Sequence, residues 1–302
     1  MPPKTVLITG CSPGGAGFAL AKEFRSRGHI VFATIRGDSE ATSISHSSPL
    51  TDLGIHVLHL DVTSESSMAD AVSCVRRELE REQEEGHGQA CAYLDILINN
   101  AAVFAQMPLA DVDLSDARAV FDANVFGVLA VTQAFLPLLI KLDSHSGGLV
   151  ANVSSLSAIM CPPWQGVYAA SKAALVALGH TMRVEFAPLG VRVVTIVSGG
   201  VDSPFKAQRS NGVPEGSWYK SLSGVIEGKE PGDFKGMPTA EYAKGVVDDL
   251  LSSRPKPMLW RGAFAWVAWF LTWFGWVGMM DKSQISRSGL DRIEIASRSK
   301  MD

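Results

Sequence analysis

The stretch TGCSPGGAGFALA, residues 9–21, follows the apolar run KTVLI, residues 4–8. It places four glycines and one proline within the eight residues 10–17, then enters the helical pattern GFALAKEFRSRG. Strand, glycine turn and helix in that order suit phosphate binding. Glycine lets the backbone approach an anion, and a helix N-terminus offers unpaired N–H groups in a positive potential. A glycine-rich turn alone only links two elements; the strand before it and the helix after it make this one a candidate dinucleotide turn.

Outward from that turn, apolar runs recur: TVLIT (5–9), IVFATI (30–35), IHVLHL (55–60), LDILIN (94–99), GLVANVS (148–154) and VRVVTIV (191–197). Runs that are apolar on both alternating faces are expected of parallel strands covered above and below. Between them lie helical patterns, at 17–28, 67–86, 116–142, 166–190 and 240–253. Steady alternation of strand and helix predicts an α/β fold, a doubly wound parallel sheet of Rossmann type with helices on both faces. One dinucleotide-binding catalytic domain is expected over residues 1–260.

Composition narrows the classes. The chain has 302 residues, is 46% hydrophobic and carries a formal net charge of -4, with a pI near 6.0. It is long enough for a sizeable core. That charge excludes a general nucleic-acid binder, which needs a basic surface. The four cysteines, at 11, 74, 91 and 161, form no CxxC pair and have no ligand spacing with histidine. They read as reduced thiols facing the cytosol, with no metal site. The first apolar run is too short and β-branched for a secretory signal, so the chain is expected not to be secreted. The polar stretch 38–52 reads as a loop, and the charged run 76–89 as a solvated helix face. Residues 202–238 are rich in Gly, Pro and Ser yet carry Phe205, Trp218, Tyr219 and Leu222. That mixture suits a substrate flap, the alternative being a disordered insertion.

The second strand ends in FATIR, with Arg36 where a carboxylate would bind ribose hydroxyls. An arginine there favours a 2′-phosphate, to which Ser12 in the glycine turn can also donate, so the expected cofactor is NADP(H). Further on, Tyr168 and Lys172 stand four apart at the start of a helical pattern and share one face. An ammonium near a phenol favours the phenolate and is expected to lower the Tyr168 pKa. Ser155, thirteen residues before Tyr168, ends the strand GLVANVS, at the sheet edge where parallel folds bind ligands. Together these residues form a proton donor and a hydrogen-bond donor for one substrate oxygen.

With these residues in place, the chain resembles the short-chain dehydrogenase/reductase family over nearly all of residues 4–260. The resemblance implies that Gly10, Gly15 and Gly17 correspond to the family's glycine turn, here one residue longer. It places Asp61 of LDV at the adenine ring, and Asn99 and Ala101 of NNAA in the turn that supports the cofactor. Asn124 of DANVFG would help hold a water that links the lysine to solvent, completing a tetrad with Ser155, Tyr168 and Lys172. Tyr168 and Lys172 would also touch the nicotinamide ribose, and Val201 and Ser203 would hold its amide. Ala16, Ala102 and Gly199 depart from the family's usual residues. The spelling of the turn, with FATIR, is similar to fungal NADPH-dependent reductases of the 1-acyldihydroxyacetone-phosphate reductase group. This implies an oxidoreductase acting between a ketone or aldehyde and an alcohol on an apolar small molecule. The substrate is either a lipid precursor such as acyldihydroxyacetone phosphate or a polyketide or terpenoid metabolite. A non-catalytic NADP-binding scaffold is the remaining alternative, and the family implies a homo-oligomer.

Residues 262–280 carry no charge, and five of the seven tryptophans lie between 260 and 276. The run is barely long enough for a hydrocarbon core of ~30 Å. Trp266, Trp269, Trp273 and Trp276 recur at three- and four-residue spacing. The spacing predicts an apolar helix over 261–282 with tryptophan on one face, lying at a membrane surface between Arg261 and Lys282. The alternative is a dimer or core helix lining the substrate mouth. A membrane-surface location would be the cytosolic side of the endoplasmic reticulum or a lipid droplet. Residues 283–302 are expected to be a polar tail.

Overall fold

In the computed structural model, residues 2–37, 49–84, 93–141, 147–207, 212–228 and 235–293 are described. Most of the polar loop, the end of the charged run, Cys91 and the last residues of the tail lie outside them, as do 208–211 and 229–234 of the flap segment.

The apolar runs do become strands: β1 (Thr5–Ile8), β2 (Ile30–Ile35), β3 (His56–His59), β4 (Ile96–Asn99), β5 (Leu149–Ser155) and β6 (Arg192–Ser198). Two residue pairs, β7 (Val201–Asp202) and β8 (Met237–Pro238), form a small separate parallel ladder. The next strand, β9 (Met258–Arg261), joins the main sheet, giving the order β3-β2-β1-β4-β5-β6-β9 with every pairing parallel. The order reverses between β1 and β4, and in such sheets the crevice outside the strand C-termini at that reversal is the ligand site.

Side chains alternate across the sheet with the period of two that strands impose. Val6 and Ile8 face helices Ala16–Ser26 and Thr239–Leu250, packing with Leu20, Phe24, Tyr242 and Val246. Leu7 faces the opposite layer with Val75, Leu79, Val131, Phe135 and Met182. That layer holds helices Glu65–Glu84, Gly127–Leu139 and Gly166–Glu185. The long pattern expected over 116–142 is not one regular helix. Leu114–Phe121 and Gly127–Leu139 are joined by a π-helical turn, Asp122–Phe126. The whole stretch Leu114–Leu139 is long and apolar enough to cross a membrane, but half of its most apolar window is buried. Val131, Phe135 and Leu139 explain that composition, because they pack in the core.

The expected helix over 261–282 is corrected in two ways. Its first residue, Arg261, ends β9 instead and donates to the Asp249 carboxylate at 2.6 and 2.8 Å. Arg261 is thus held by an ion pair and does not cap a membrane helix. The sheet also continues one residue past the expected boundary at 260. The helix itself is Ala265–Phe274, ten residues long, or about 15 Å at 1.5 Å per residue, half of what a bilayer core needs. It starts after Gly262 and Phe264, both at positive φ, and ends at Gly275. Ala265 and Ala268 are its buried residues, whereas Trp266, Trp269 and Trp273 are 68, 45 and 69% exposed. The tail is folded at its start. Asp281–Ser288 is a helix, Gln284 donates to the Met160 carbonyl at 2.6 Å, and Ile293 packs with the flap-segment residues Leu222 and Ile226.

Candidate active site

The glycine turn is built where no side chain fits. Gly10 (φ +73°) lies against the Ala101 backbone, so a Cβ there would sit 2.7 Å from Ala101 Cα. A Cβ on Gly17 would sit 2.5 Å from the Gly10 carbonyl oxygen and from Asn100 Nδ2. Gly15 caps helix Ala16–Ser26 with no side-chain hydrogen bond, and no acidic residue stands in the helix's first turn. The helix end therefore keeps free N–H groups, as an anion site requires. Ser12 is exposed on the turn, and Arg36 is exposed just past β2. Asp61 Oδ1 accepts from the Thr63 hydroxyl at 2.6 Å and the Thr63 N–H at 2.8 Å. The Thr63 hydroxyl bond chiefly holds this carboxyl below its usual range; burial opposes the shift, and the Thr63 N–H and the Arg36 charge add to it.

Of the NNAA turn, Ala101 faces Gly10, but the Asn99 side chain is turned into the core. It donates to Thr132 at 3.0 Å and Asn152 at 2.9 Å. The brace on the glycine turn is a residue that motif reading passed over. Asn100 Nδ2 donates to the Thr9 and Gly10 carbonyls at 2.8 and 3.0 Å, while Thr9 Oγ1 accepts from the Asn100 and Ala101 N–H groups. The doubled asparagine was the available signal. Val201 and Ser203 lie on the segment leaving β6, Val201 in β7 and partly packed on the core.

Ser155 ends β5, and Tyr168 and Lys172 stand one turn apart on helix Gly166–Glu185. The Ser155 hydroxyl is the polar neighbour that acts on the Tyr168 phenol, and it accepts from the Ser157 N–H at 3.1 Å. Tyr168 is 6% exposed. Burial pushes its phenol above the usual tyrosine range, against the smaller lowering by the Ser155 hydroxyl. That corrects the expected lowering by Lys172: desolvation of the phenolate outweighs a charge that sits 5.9 Å from the ring centre. Lys172 is 3% exposed and donates to the Val153 carbonyl at 2.9 Å. Its own burial pulls it down to about 8. Ser154 donates to the Lys172 carbonyl at 2.9 Å and thereby ties this helix to β5.

Asn124 sits in the π-helical turn, fully buried. Its amide accepts from the Val103 N–H at 2.8 Å and donates to the Val103 carbonyl at 2.9 Å and to Ser171 Oγ at 3.0 Å. Both donors and one acceptor lone pair are thus used within the protein. The side chain ties the chain after β4 to the residue beside Lys172.

The Gly199 departure has a structural cause. A Cβ there would overlap the Ala263 carbonyl oxygen, and the Gly199 N–H donates to the Arg261 carbonyl at 2.7 Å. Proline has no N–H to give.

The arrangement matches known proteins. The family model described as short chain dehydrogenase matches residues 4–213, and the chain belongs to that family of oxidoreductases. It is 37% identical over 276 residues to the short-chain dehydrogenase cctT of Talaromyces islandicus, covering 90% of each chain. It is 35% identical over 254 residues to the NADPH-dependent 1-acyldihydroxyacetone phosphate reductase of Schizosaccharomyces pombe, covering 82% of this chain and 78% of that one. A solved short chain dehydrogenase from Burkholderia cenocepacia, in complex with NADP, superposes with a TM-score of 0.66 at 23% identity, covering 95% of this chain and 97% of that one.

Proposed function

We propose that this chain is an NADP(H)-dependent carbonyl reductase for an apolar ketone or aldehyde, working also in reverse on the alcohol. One observation carries the reading: Ser155 at the end of β5 acts on the buried Tyr168 phenol, with Lys172 one helical turn from it, in a fold whose glycine turn excludes side chains. That turn fits a dinucleotide, with Gly10, Gly15 and Gly17 against the pyrophosphate, Ser12 and Arg36 toward a 2′-phosphate, and Asp61 toward the adenine. Asn100 and Ala101 support the turn, and Val201 and Ser203 lie toward the nicotinamide amide. The NADPH named for the yeast relative supports this cofactor.

The bound cofactor supplies the hydride that adds to the carbonyl carbon. Ser155 donates a hydrogen bond to the carbonyl oxygen. Tyr168 gives that oxygen its proton, and the raised pKa keeps the phenol protonated at neutral pH, ready to do so. Lys172 Nζ, charged below about pH 8, offsets the phenolate left behind. Asn124 is a positioning residue, because it holds Ser171 and so the turn between Tyr168 and Lys172. Loss of one oxyanion donor costs about 10²–10³ in turnover.

The substrate class follows from the lining. Phe104 and Phe205 flank Tyr168, so an apolar carbonyl compound fits, either a lipid precursor or a specialised metabolite. The exposed tryptophan helix packs against Ser157–Met160, which follow Ser155. Phe264, Trp266, Trp269, Phe270, Trp273 and Phe274 stay 37–69% exposed, so each forgoes part of the ~1.5–3 kcal/mol that full burial of a large apolar side chain gives. This face lies on a cytosol-facing membrane surface, where tryptophan is favoured, and it delivers apolar substrate to the site. The test is the purified full chain with NADPH and a panel containing acyldihydroxyacetone phosphate, polyketide ketones and terpenoid ketones. NADPH consumption with at least one of them is expected, and none with any of them sinks the reading. Separately, Trp266, Trp269 and Trp273 changed together to Ser should abolish co-sedimentation with phosphatidylcholine vesicles; a wild-type chain that stays in the supernatant refutes the membrane assignment.

A further inference from the structure

Tyr168 is covered by two phenylalanines from distant parts of the chain. Phe104, just after the NNAA turn, meets the Tyr168 ring edge-on, with centroids 5.0 Å apart and planes at 69°. Phe205 lies 6.2 Å from Tyr168 and 5.9 Å from Phe104. The two phenylalanines are anchored differently. Phe104 is buried in the segment whose preceding residue, Val103, is bonded through both backbone groups to Asn124. Phe205 is half-buried on the short turn Pro204–Ala207, at the start of the flap segment. Pro204 rests on the glycine turn, 3.2 Å from where a Gly14 Cβ would be. One short strap therefore spans the cofactor turn and the tyrosine. The flap segment's far half is held by a strained contact. Tyr219 packs on Trp164, with centroids 5.1 Å apart. Trp164 has φ +68°, rare for a bulky residue, and its indole N–H is buried without a partner among the described residues. Strain and an unmet donor both favour release of the closed position.

Tyr168 is 6% exposed with the Phe104 and Phe205 rings beside it. A substrate that brings its carbonyl to the phenol must therefore displace a neighbour, and half-buried Phe205 is the less anchored of the two. We propose that Phe205 determines substrate specificity: its ring gives way to the unsaturated, carbonyl-bearing part of the substrate, an aryl ketone or enone, which then packs against the edge of Phe104. The proposal rests on the reductase reading of the same site. A π-face in the ligand recovers the aromatic contact that Phe205 gives up, worth about 3- to 10-fold in affinity, and a saturated ring recovers less.

The test has one arm with turnover and one without. With NADPH, the full chain should prefer acetophenone to cyclohexyl methyl ketone in kcat/KM, and Phe104→Leu should cut that ratio about 3- to 10-fold with NADPH affinity retained. An unchanged ratio overturns the proposal. Without turnover, nitration of Tyr168 by tetranitromethane is followed by peptide mass spectrometry. Wild type should resist, and Phe205→Ala should nitrate several-fold faster and be protected by acetophenone more than by cyclohexyl methyl ketone. Equal nitration of the two chains, or equal protection by the two ketones, overturns the proposal. If neither ketone is reduced, the nitration arm still decides, so failure of the reductase reading and failure of this one are told apart.

Discussion

Replacing Lys172 by methionine should make the protein more stable and inactive at once. Lys172 is a buried cation whose oxygen partner is a neutral carbonyl, Val153. Burial moves its pKa from 10.5 to about 8. At about 1.36 kcal/mol per pKa unit, holding the charged form inside the fold at pH 7 costs about 3 kcal/mol relative to the unfolded chain. Methionine fills a similar volume without charge, but leaves the Val153 carbonyl short of one hydrogen bond, a loss of about 1 kcal/mol. The net gain is about 2 kcal/mol at pH 7, or about 3 °C in Tm for a chain of this size. The sign of the pH dependence follows from the lowered pKa. Between about pH 8 and 10.5 the unfolded chain holds the lysine proton and the folded chain does not, so wild-type stability rises with pH in that window. The variant lacks this contribution, and other groups cancel between the two chains, so its advantage should vanish near pH 10. Cofactor-free unfolding, by heat and by urea at pH 7, 8, 9 and 10, measures the difference. A Lys172→Met chain less stable than wild type at pH 7, or a gap that stays constant to pH 10, refutes the argument that this cation is held at a cost in stability for the sake of chemistry.

Tyr168→Phe should keep NADPH affinity, read by tryptophan quenching, while turnover falls by about 10²–10³ or more; near-normal turnover removes Tyr168 as proton donor. Arg36→Ala should lower the preference for NADPH over NADH by about 10- to 100-fold, the worth of a hydrogen bond to a charged group; KM ratios for the two cofactors check it, and an unmoved ratio places the 2′-phosphate elsewhere. Gly199→Ala should destabilise by about 1–3 kcal/mol, because its methyl group meets the Ala263 carbonyl. Thermal unfolding reads that loss, and an unshifted midpoint shows that the Gly262–Ala263 backbone can move aside.

Six of the seven strands of the main sheet were legible because a parallel strand buried on both faces is apolar at nearly every position; β1 and β2 are buried throughout, with only Thr5 and Thr34 polar. The seventh was hidden for the opposite reason. MLWR is short, ends in a charge and runs into an apolar stretch that dominates any window containing it. Its pairing with β6 is a long-range fact, and the partner of Arg261, Asp249, lies on another element. The same distinction divides the site. Tyr168, Lys172 and Ser155 announce themselves because helix spacing and a strand end bring near neighbours in sequence together. The cover over Tyr168 does not, since Phe104 and Phe205 are separated from it by many residues and no spacing rule links them. The Tyr168 pKa divides in the same way. A neighbouring cation is visible in the sequence as a residue four positions away, whereas the desolvation that opposes it is supplied by rings that only the fold assembles. The groups that do chemistry can therefore be read locally, while the environment that sets their proton affinities, and with it the substrate they accept, is a property of tertiary packing.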